Sequence, residues 1–489
     1  MKIAPPEGSM NTDKYPFSQH YKVPNVGTFC LALALSVGLT SCSSGNGGTT
    51  TPTPTPAAKT VVQVNMGDAP ADWMVAFSMN ISSMSLVGSN GSVSVVSSTF
   101  PMEMMHLMGS MQPLTMVNAP QGTYTGASIT LGSATVMYMD PTTKQPVQKT
   151  ISGPMTATVT FSTPMTLGST PMAMSFDLDL ASSVAVDGSG NLSMNPVFHF
   201  SSGMQGSGNP ADFANGGIQQ MMGSISSVSG SSFVMNSMQA AQTFTFATNS
   251  STVFDGTSMS AMGNGALVMV DATLQADGSL MATNVHSMMN SGGVMGGGVI
   301  TAVTGQPATA LTMVMQNGAG TGMMSSSFAE GATINMNGST TYQIDEDGVD
   351  MTGLPFAPVF DAAHIFGGQS VMPISPSGMS GGGMGGMMGG GSMAGTITAS
   401  GVTLEPRGLS GTIAATITSG SSASFTLTLP SDSAFNTMTG ATNVTVIQQT
   451  KTTVSGVSPV ANGSTVYAFG LLFFDAGQWK MVAARIGSN

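Results

Sequence analysis

Gly223-Ser-Ile-Ser-Ser-Val-Ser-Gly230 recurs as Gly298-Val-Ile-Thr-Ala-Val-Thr-Gly305 and again as Gly411-Thr-Ile-Ala-Ala-Thr-Ile417. Each copy alternates apolar and hydroxyl side chains after a glycine, the period of a half-buried strand, and its recurrence marks an internal repeat. A second strand follows at Phe233-Val-Met235, Leu311-Thr-Met313 and Phe425-Thr-Leu427, and a third at Phe244-Thr-Phe246, Ile334-Asn-Met336 and Val444-Thr-Val446. Two more close each unit: Ala266 to Leu274 with Ser279 to Val285, Gln369 to Ile374 with Gly395 to Leu404, and Thr465 to Phe474 with Trp479 to Ile486. Five short strands per unit predict a small closed barrel or β-roll of an OB-like kind, since closure removes sheet edges open to aggregation. The expected units are 216–295, 296–407 and 408–489. The second is lengthened by a Met/Gly-rich hairpin insertion at 375–394.

Working outward, residues 60–202 keep the same period of two. Val61-x-Gln63-x-Asn65, Phe77-x-Met79-x-Ile81 and Met84-x-Leu86 are punctuated by Gly67-Asp68-Ala69-Pro70, Ser89-Asn90-Gly91 and Asp187-Gly188-Ser189-Gly190. No segment sustains a helical period for three turns. The expectation is an all-β chain: an N-terminal antiparallel β-sandwich, then the three repeats.

Upstream, Phe29 to Leu39 is an apolar run too short to span a bilayer, which needs about 20 residues, but long enough for a signal-peptide core. Leu39-Thr40-Ser41-Cys42 follows at once and resembles a bacterial lipobox. That predicts a lipoprotein signal peptide at 1–41, cleavage before Cys42, and lipidation of its thiol. Residues 42–59 then form a disordered Gly/Ser/Thr-Pro tether, flexible at first and stiffened by Thr-Pro repeats. Ser43 and Ser44 are not acidic, which favours the outer membrane. The chain is expected to be exported and held to the cell envelope by its lipid.

Charged residues make up 7% of the 489, with 10 Lys+Arg against 22 Asp+Glu and a net charge of −12. So few cations exclude extensive phosphate neutralisation, and with it nucleic-acid binding. Cys30 and Cys42 are the two cysteines, so no disulfide pair survives processing and stability must come from packed cores.

Four blocks of residues 61–200 resemble a family of exported proteins, domain of unknown function 4382. They are the strand entering Asp68-Ala69-Pro70-Ala71-Asp72, the Met79 to Val87 strand, Gly122-Thr123-Tyr124, and Ser175-Phe176-Asp177-Leu178-Asp179 through Asn195-Pro196-Val197. The tandem repeats resemble domain of unknown function 5666. Neither resemblance implies an activity. The first implies that Met102 to Met108 is an apolar strand in which Met stands for Leu, an exchange that cores tolerate.

Candidate chemistry is sparse. Met379, Met384, Met387, Met388 and Met393 on the Gly-rich hairpin offer five thioethers suited to Cu(I) or Ag(I). Asp68 and Asp72 read as turn-capping residues of a Pro-containing loop. Asp345-Glu346-Asp347-Gly348-Val349-Asp350 reads as a surface turn without EF-hand spacing. His106, His199, His286 and His364 fit no catalytic motif, and neither a nucleophile elbow nor a P-loop is present. The sequence points to a non-catalytic envelope lipoprotein, a string of β domains acting in binding, adhesion or surface architecture, with no cofactor. Its expected partners are the membrane and an envelope protein or polysaccharide. Soft-metal binding through methionine-rich loops is the alternative.

Overall fold

The computed structural model describes residues 58–489 apart from 70, 90, 108–109, 188, 205–208, 211, 239, 241, 288–292, 295–296, 317–331, 347, 376–395, 420–421, 456–460 and 489. It is nearly all β, as the alternation requires. Cys42 and the signal, tether and hairpin-methionine assignments lie outside the described residues, apart from the tether's last two positions.

The N-terminal unit comprises β1 (Lys59–Ala69), β2 (Met74–Gly88), β3 (Gly91–Val96), β4 (Phe100–Glu103), β5 (Met111–Pro120), β6 (Gly122–Met139), β7 (Pro146–Ile151), β8 (Met155–Leu167) and β9 (Met172–Asp179). It continues through the short α1 (Leu180–Ser183), then β10 (Val184–Val186), β11 (Leu192–Met194) and β12 (Phe198–Met204). One sheet runs β12-β9-β1-β5; the other runs β3-β2-β6-β7, with β4 on β2 and β8 on β6. The pairings are antiparallel except β1 with β9, which is parallel. Val62, Val64, Met66, Phe77, Met79 and Phe176 fill the space between the sheets. A stack of Phe161 on Phe200, centroids 3.6 Å apart, closes one edge.

The Met102 to Met108 stretch departs from a plain strand. β4 stops at Glu103, and Met105 to Leu107 form a 3₁₀ turn. The buried Glu103 carboxylate draws the backbone round by accepting from the N–H groups of Phe77, Met105 and His106, at 3.0–3.1 Å. Met102, Met104, Met105 and Leu107 are buried in the sandwich core.

The first barrel contains β13 (Gly217–Ser229), β14 (Ser232–Ser237), β15 (Thr243–Ala247), β16 (Val253–Asp255), β17 (Leu267–Leu274) and β18 (Leu280–Ser287). The second contains β19 (Gly293–Val294), β20 (Gly298–Thr304), β21 (Ala310–Met315), β22 (Ala332–Asn335), β23 (Thr341–Ile344), β24 (Ser370–Ser375), β25 (Thr396–Thr398) and β26 (Gly401–Glu405). The third contains β27 (Arg407–Ser419), β28 (Ser422–Thr428), α2 (Ala434–Thr439), β29 (Asn443–Ser455), β30 (Thr465–Asp475) and β31 (Gln478–Ser488). Each unit circulates in the order first, second, third, fifth, fourth, first, with the third and fifth strands parallel. The parallel contacts are Phe246 with Leu280, Ile334 with Ile397, and Val446 with Met481. This is the Greek-key order of an OB-type barrel. In the second unit the fifth strand is split into β25 and β26.

The recurring sequence has a geometric cause. At Gly223, Gly298 and Gly411 a Cβ would lie 2.4, 2.1 and 2.3 Å from the carbonyl oxygens of Asn236, Val314 and Thr428 on the second strand. Only glycine permits that approach. Shortly after, the first strand bulges in all three units, between Ile225 and Ser227, Ile300 and Ala302, and Ile413 and Ala415. Such bulges supply the bend a small barrel needs. A threonine beyond the core-facing part of the third strand forms a further shared device. Thr252, Thr340 and Thr452 accept from the backbone N–H of Asn249, Asn337 and Gln449 and donate to the carbonyls of Ala282 and Ala483 on the fifth strand and of Ala399 where that strand is split.

Residues 56–489 cluster as one compact unit. Apolar side chains on the outer faces of the barrels bind the units together. Leu471, Phe473, Val482 and Ala484 of the third barrel join the core of the second. Val75 and Met137 of the sandwich meet Val299, Val314 and Ala434 in a shared cluster.

Candidate functional site

Where the sandwich and the three barrels converge, the structure forms a partly open cavity of about 510 Å³. β13, β17 and β18 of the first barrel face β24 and β26 of the second across it; Asp72 after β1, the start of β2, the 3₁₀ turn and the start of β27 complete the wall. Five carboxyl side chains, Asp72, Asp255, Asp345, Glu346 and Glu405, line it against one guanidinium, Arg407. His106, His286 and five methionines add softer surface.

Asp72 is not the turn-capping residue its sequence context implies. Asp72 joins the sandwich to the third barrel, accepting from Ser410 N at 2.9 Å and from the Ser410 hydroxyl. Burial pushes its pKa up to about 6, although the Ser410 bonds and Arg407 act in the other direction. Burial, reinforced by Asp345, pushes Glu405 up to about 8. Arg407 donates to the Gly368 carbonyl and packs on the Phe435 ring, 5.5 Å from its centroid; burial lowers it to about 10. Arg485, also lowered to about 10 by burial, reaches from the third barrel to Gln219 Oε1 at 2.7 Å.

Asp68 also departs from the turn-capping expectation. β1 continues through it, and its side chain extends the inward row of Val62, Val64 and Met66. Neither carboxyl oxygen has a hydrogen-bond partner among the described residues. Burial first, then the negative fields of Asp177, Glu103 and Asp179, hold it well above the usual carboxylate range.

The histidines divide. His106 Nδ1 lies 2.8 Å from Glu103 Oε2, and His286 Nδ1 lies 2.7 Å from Asp255 Oδ2; both rings line the cavity. His199 sits on the exposed face of β12 near Asp179, and His364 bonds Asp361 at 2.7 Å. Asp345 and Glu346 reach the cavity, while Asp350 caps a turn through Thr352. Among the described residues no group of three or more His, Cys, Asp or Glu could hold a metal ion. Met379, Met384, Met387, Met388 and Met393 lie outside the described residues.

Sequence reasoning missed the cavity because its walls come from four units far apart in the chain. One signal was present: Met222, Met269, His286 and Met372 occupy polar-phase positions of their strands, where an isolated barrel would favour hydroxyl or charged groups.

Residues 222–286, most of the first barrel, match the family model described as Domain of unknown function (DUF5666). No curated protein matches the chain. The matched segment coincides with the barrel that supplies Met222, Met269 and His286, and thus carries a domain of that family.

Proposed function

We propose that the chain is a non-catalytic cell-envelope lipoprotein, anchored through lipidated Cys42, that takes a small ligand into the cavity between its four β units. The cavity carries this reading. It has the size of a small-molecule site and is assembled from every unit, so filling it would engage them all. Its excess of carboxyl groups over cations favours a cationic or hydrogen-bond-donating ligand. Export and lipid anchoring rest on Phe29 to Cys42 and the Thr-Pro tether. The finer family assignment, a domain like DUF4382 followed by three like DUF5666, rests on the sequence blocks for the first and on the shared strand order for the barrels. Buried carboxyl groups with raised pKa values also occur in acid–base enzymes. Here Asp72 is engaged with Ser410 as a link between units, so we assign it a binding-framework role.

The test has two arms. Cys42→Ser should abolish palmitate labelling and release the chain from membranes. Melting of the full mature chain against saccharides, polyamines and metal ions should reveal one stabilising class, and Gln343→Trp, at an exposed position on the cavity wall, should remove that effect. Labelling unchanged by Cys42→Ser would overturn the anchor; no stabilising class, or a shift that survives Gln343→Trp, would overturn the ligand site.

A further inference from the structure

Met222 on β13 stands directly opposite Met269 on β17, and Met269 directly opposite His286 on β18. Side chains at paired positions stand on the same face, with Cβ atoms about 4.5–5.5 Å apart. Their chain neighbours Met221, Val268, Val270 and Val285 fill the barrel core, so Met222, Met269 and His286 form a row across its outer face. Met372, on β24 of the second barrel, packs against Met222, as Met269 and Met238 do, and lines the same cavity as His286. Met269 and Met372 hold equivalent places: each follows the valine that pairs with the opening glycine of its repeat, Val268 with Gly223 and Val371 with Gly298. Equivalent positions of the two barrels, Met269 and Met372, therefore both pack on Met222, and thioethers meet there across the gap.

The imidazole is set for a ligand. Asp255, paired with His286 between β16 and β18, holds its Nδ1 at 2.7 Å. With Nδ1–H donating its hydrogen bond to the carboxylate, the neutral imidazole carries its lone pair on Nε2, the arrangement that orients metal-bound histidines. Three neutral thioethers and one imidazole suit a soft, monovalent d¹⁰ cation, and suit Ca²⁺ or Mg²⁺ poorly. The carboxyl groups on the same cavity add a negative field that favours a cation.

We propose that Met222, Met269, Met372 and His286 form a Cu(I) or Ag(I) site between the first two barrels, with Asp255 as the positioning residue for His286. This rests on the reading of the cavity as the ligand site and names the class of ligand. Metal joins the two barrels at the site, so loading should also raise the melting temperature.

The experiment is an anaerobic Cu(I) titration of the full mature chain, with ascorbate and a chromophoric Cu(I) chelator as competitor. X-ray absorption then reads the donor atoms. The expected result is a cavity site with a sulfur-dominated shell that includes one nitrogen. It should be lost in the Met222→Leu, Met269→Leu, Met372→Leu triple variant, and Asp255→Asn should weaken it about 10-fold or more. Leu preserves side-chain volume, and an unchanged melting temperature of the metal-free variant controls for folding. His286→Gln provides a second, milder variant that should remove the nitrogen signal. Absence of Cu(I) binding overturns the proposal. So does binding unchanged in the triple variant, or binding lost only when 379–393 are deleted, which would place the metal on the hairpin. A saccharide or polyamine effect removed by Gln343→Trp, without Cu(I) binding, would retain the cavity and refute only the metal.

Discussion

Glu405→Gln tests the electrostatics of the cavity most directly. Burial, with Asp345, raises the Glu405 pKa from 4.5 to about 8. Between those values the folded chain keeps a proton that the unfolded chain has released. The folded state then binds more protons, so stability falls as pH rises from about 4.5 to about 8 and levels off beyond. At 1.36 kcal/mol per unit, the full displacement corresponds to about 5 kcal/mol as an upper limit. Glu405 lines a cavity and is only partly buried, so solvent screening should reduce this to ~2 kcal/mol. Glutamine keeps the shape and removes the titration. Urea unfolding of both proteins at pH 5, 6, 7, 8 and 9 should show near-equal stability at pH 5 and a growing advantage for Glu405→Gln towards pH 9. Asp72 and Asp177, both raised to about 6 by burial, tilt both proteins in the same direction and cancel in the difference. A difference independent of pH, or one that favours the wild type as pH rises, would refute the reasoning, because it would mean that Glu405 is stabilised as a carboxylate.

Three further outcomes follow from the same contacts. Ser410→Ala removes one donor to Asp72 and should cost about 1–2 kcal/mol above pH 7 but less at pH 5, where Asp72 is protonated; a cost that does not change with pH in urea unfolding would contradict this. Glu103→Gln places an amide donor among three backbone N–H groups and should cost about 3 kcal/mol, with faster amide exchange at Met105 and His106; protection equal to wild type would remove Glu103 as the organiser of that turn. Gly298→Ala drives a Cβ to 2.1 Å from Val314 O and should destabilise the second barrel by about 1–3 kcal/mol, whereas Gly338→Ala, with open space around it, should have little effect; equal melting temperatures for the two would discard the close-approach explanation of the repeat.

Much of the architecture was legible in the sequence. The period of two around Phe77 and Met79 and the recurring Gly-x-Ile openings gave the strands, the sandwich and the three barrels, because alternation and close glycine contacts are local properties. The Asn-x-x-Thr and Gln-x-x-Thr links at Thr252, Thr340 and Thr452 were also written there, but a hydroxyl looks like any turn residue until the fifth strand lies beside it. The tertiary structure alone decided the site. Alternation specifies that Met222, Met269 and His286 point away from their own core, not what they meet. Met372 reaches Met222 only because the second barrel docks on the first. Asp72 and Glu405 likewise acquire their raised pKa values from neighbours distant in sequence, since desolvation depends on everything packed around a group and not on the residues beside it in the chain.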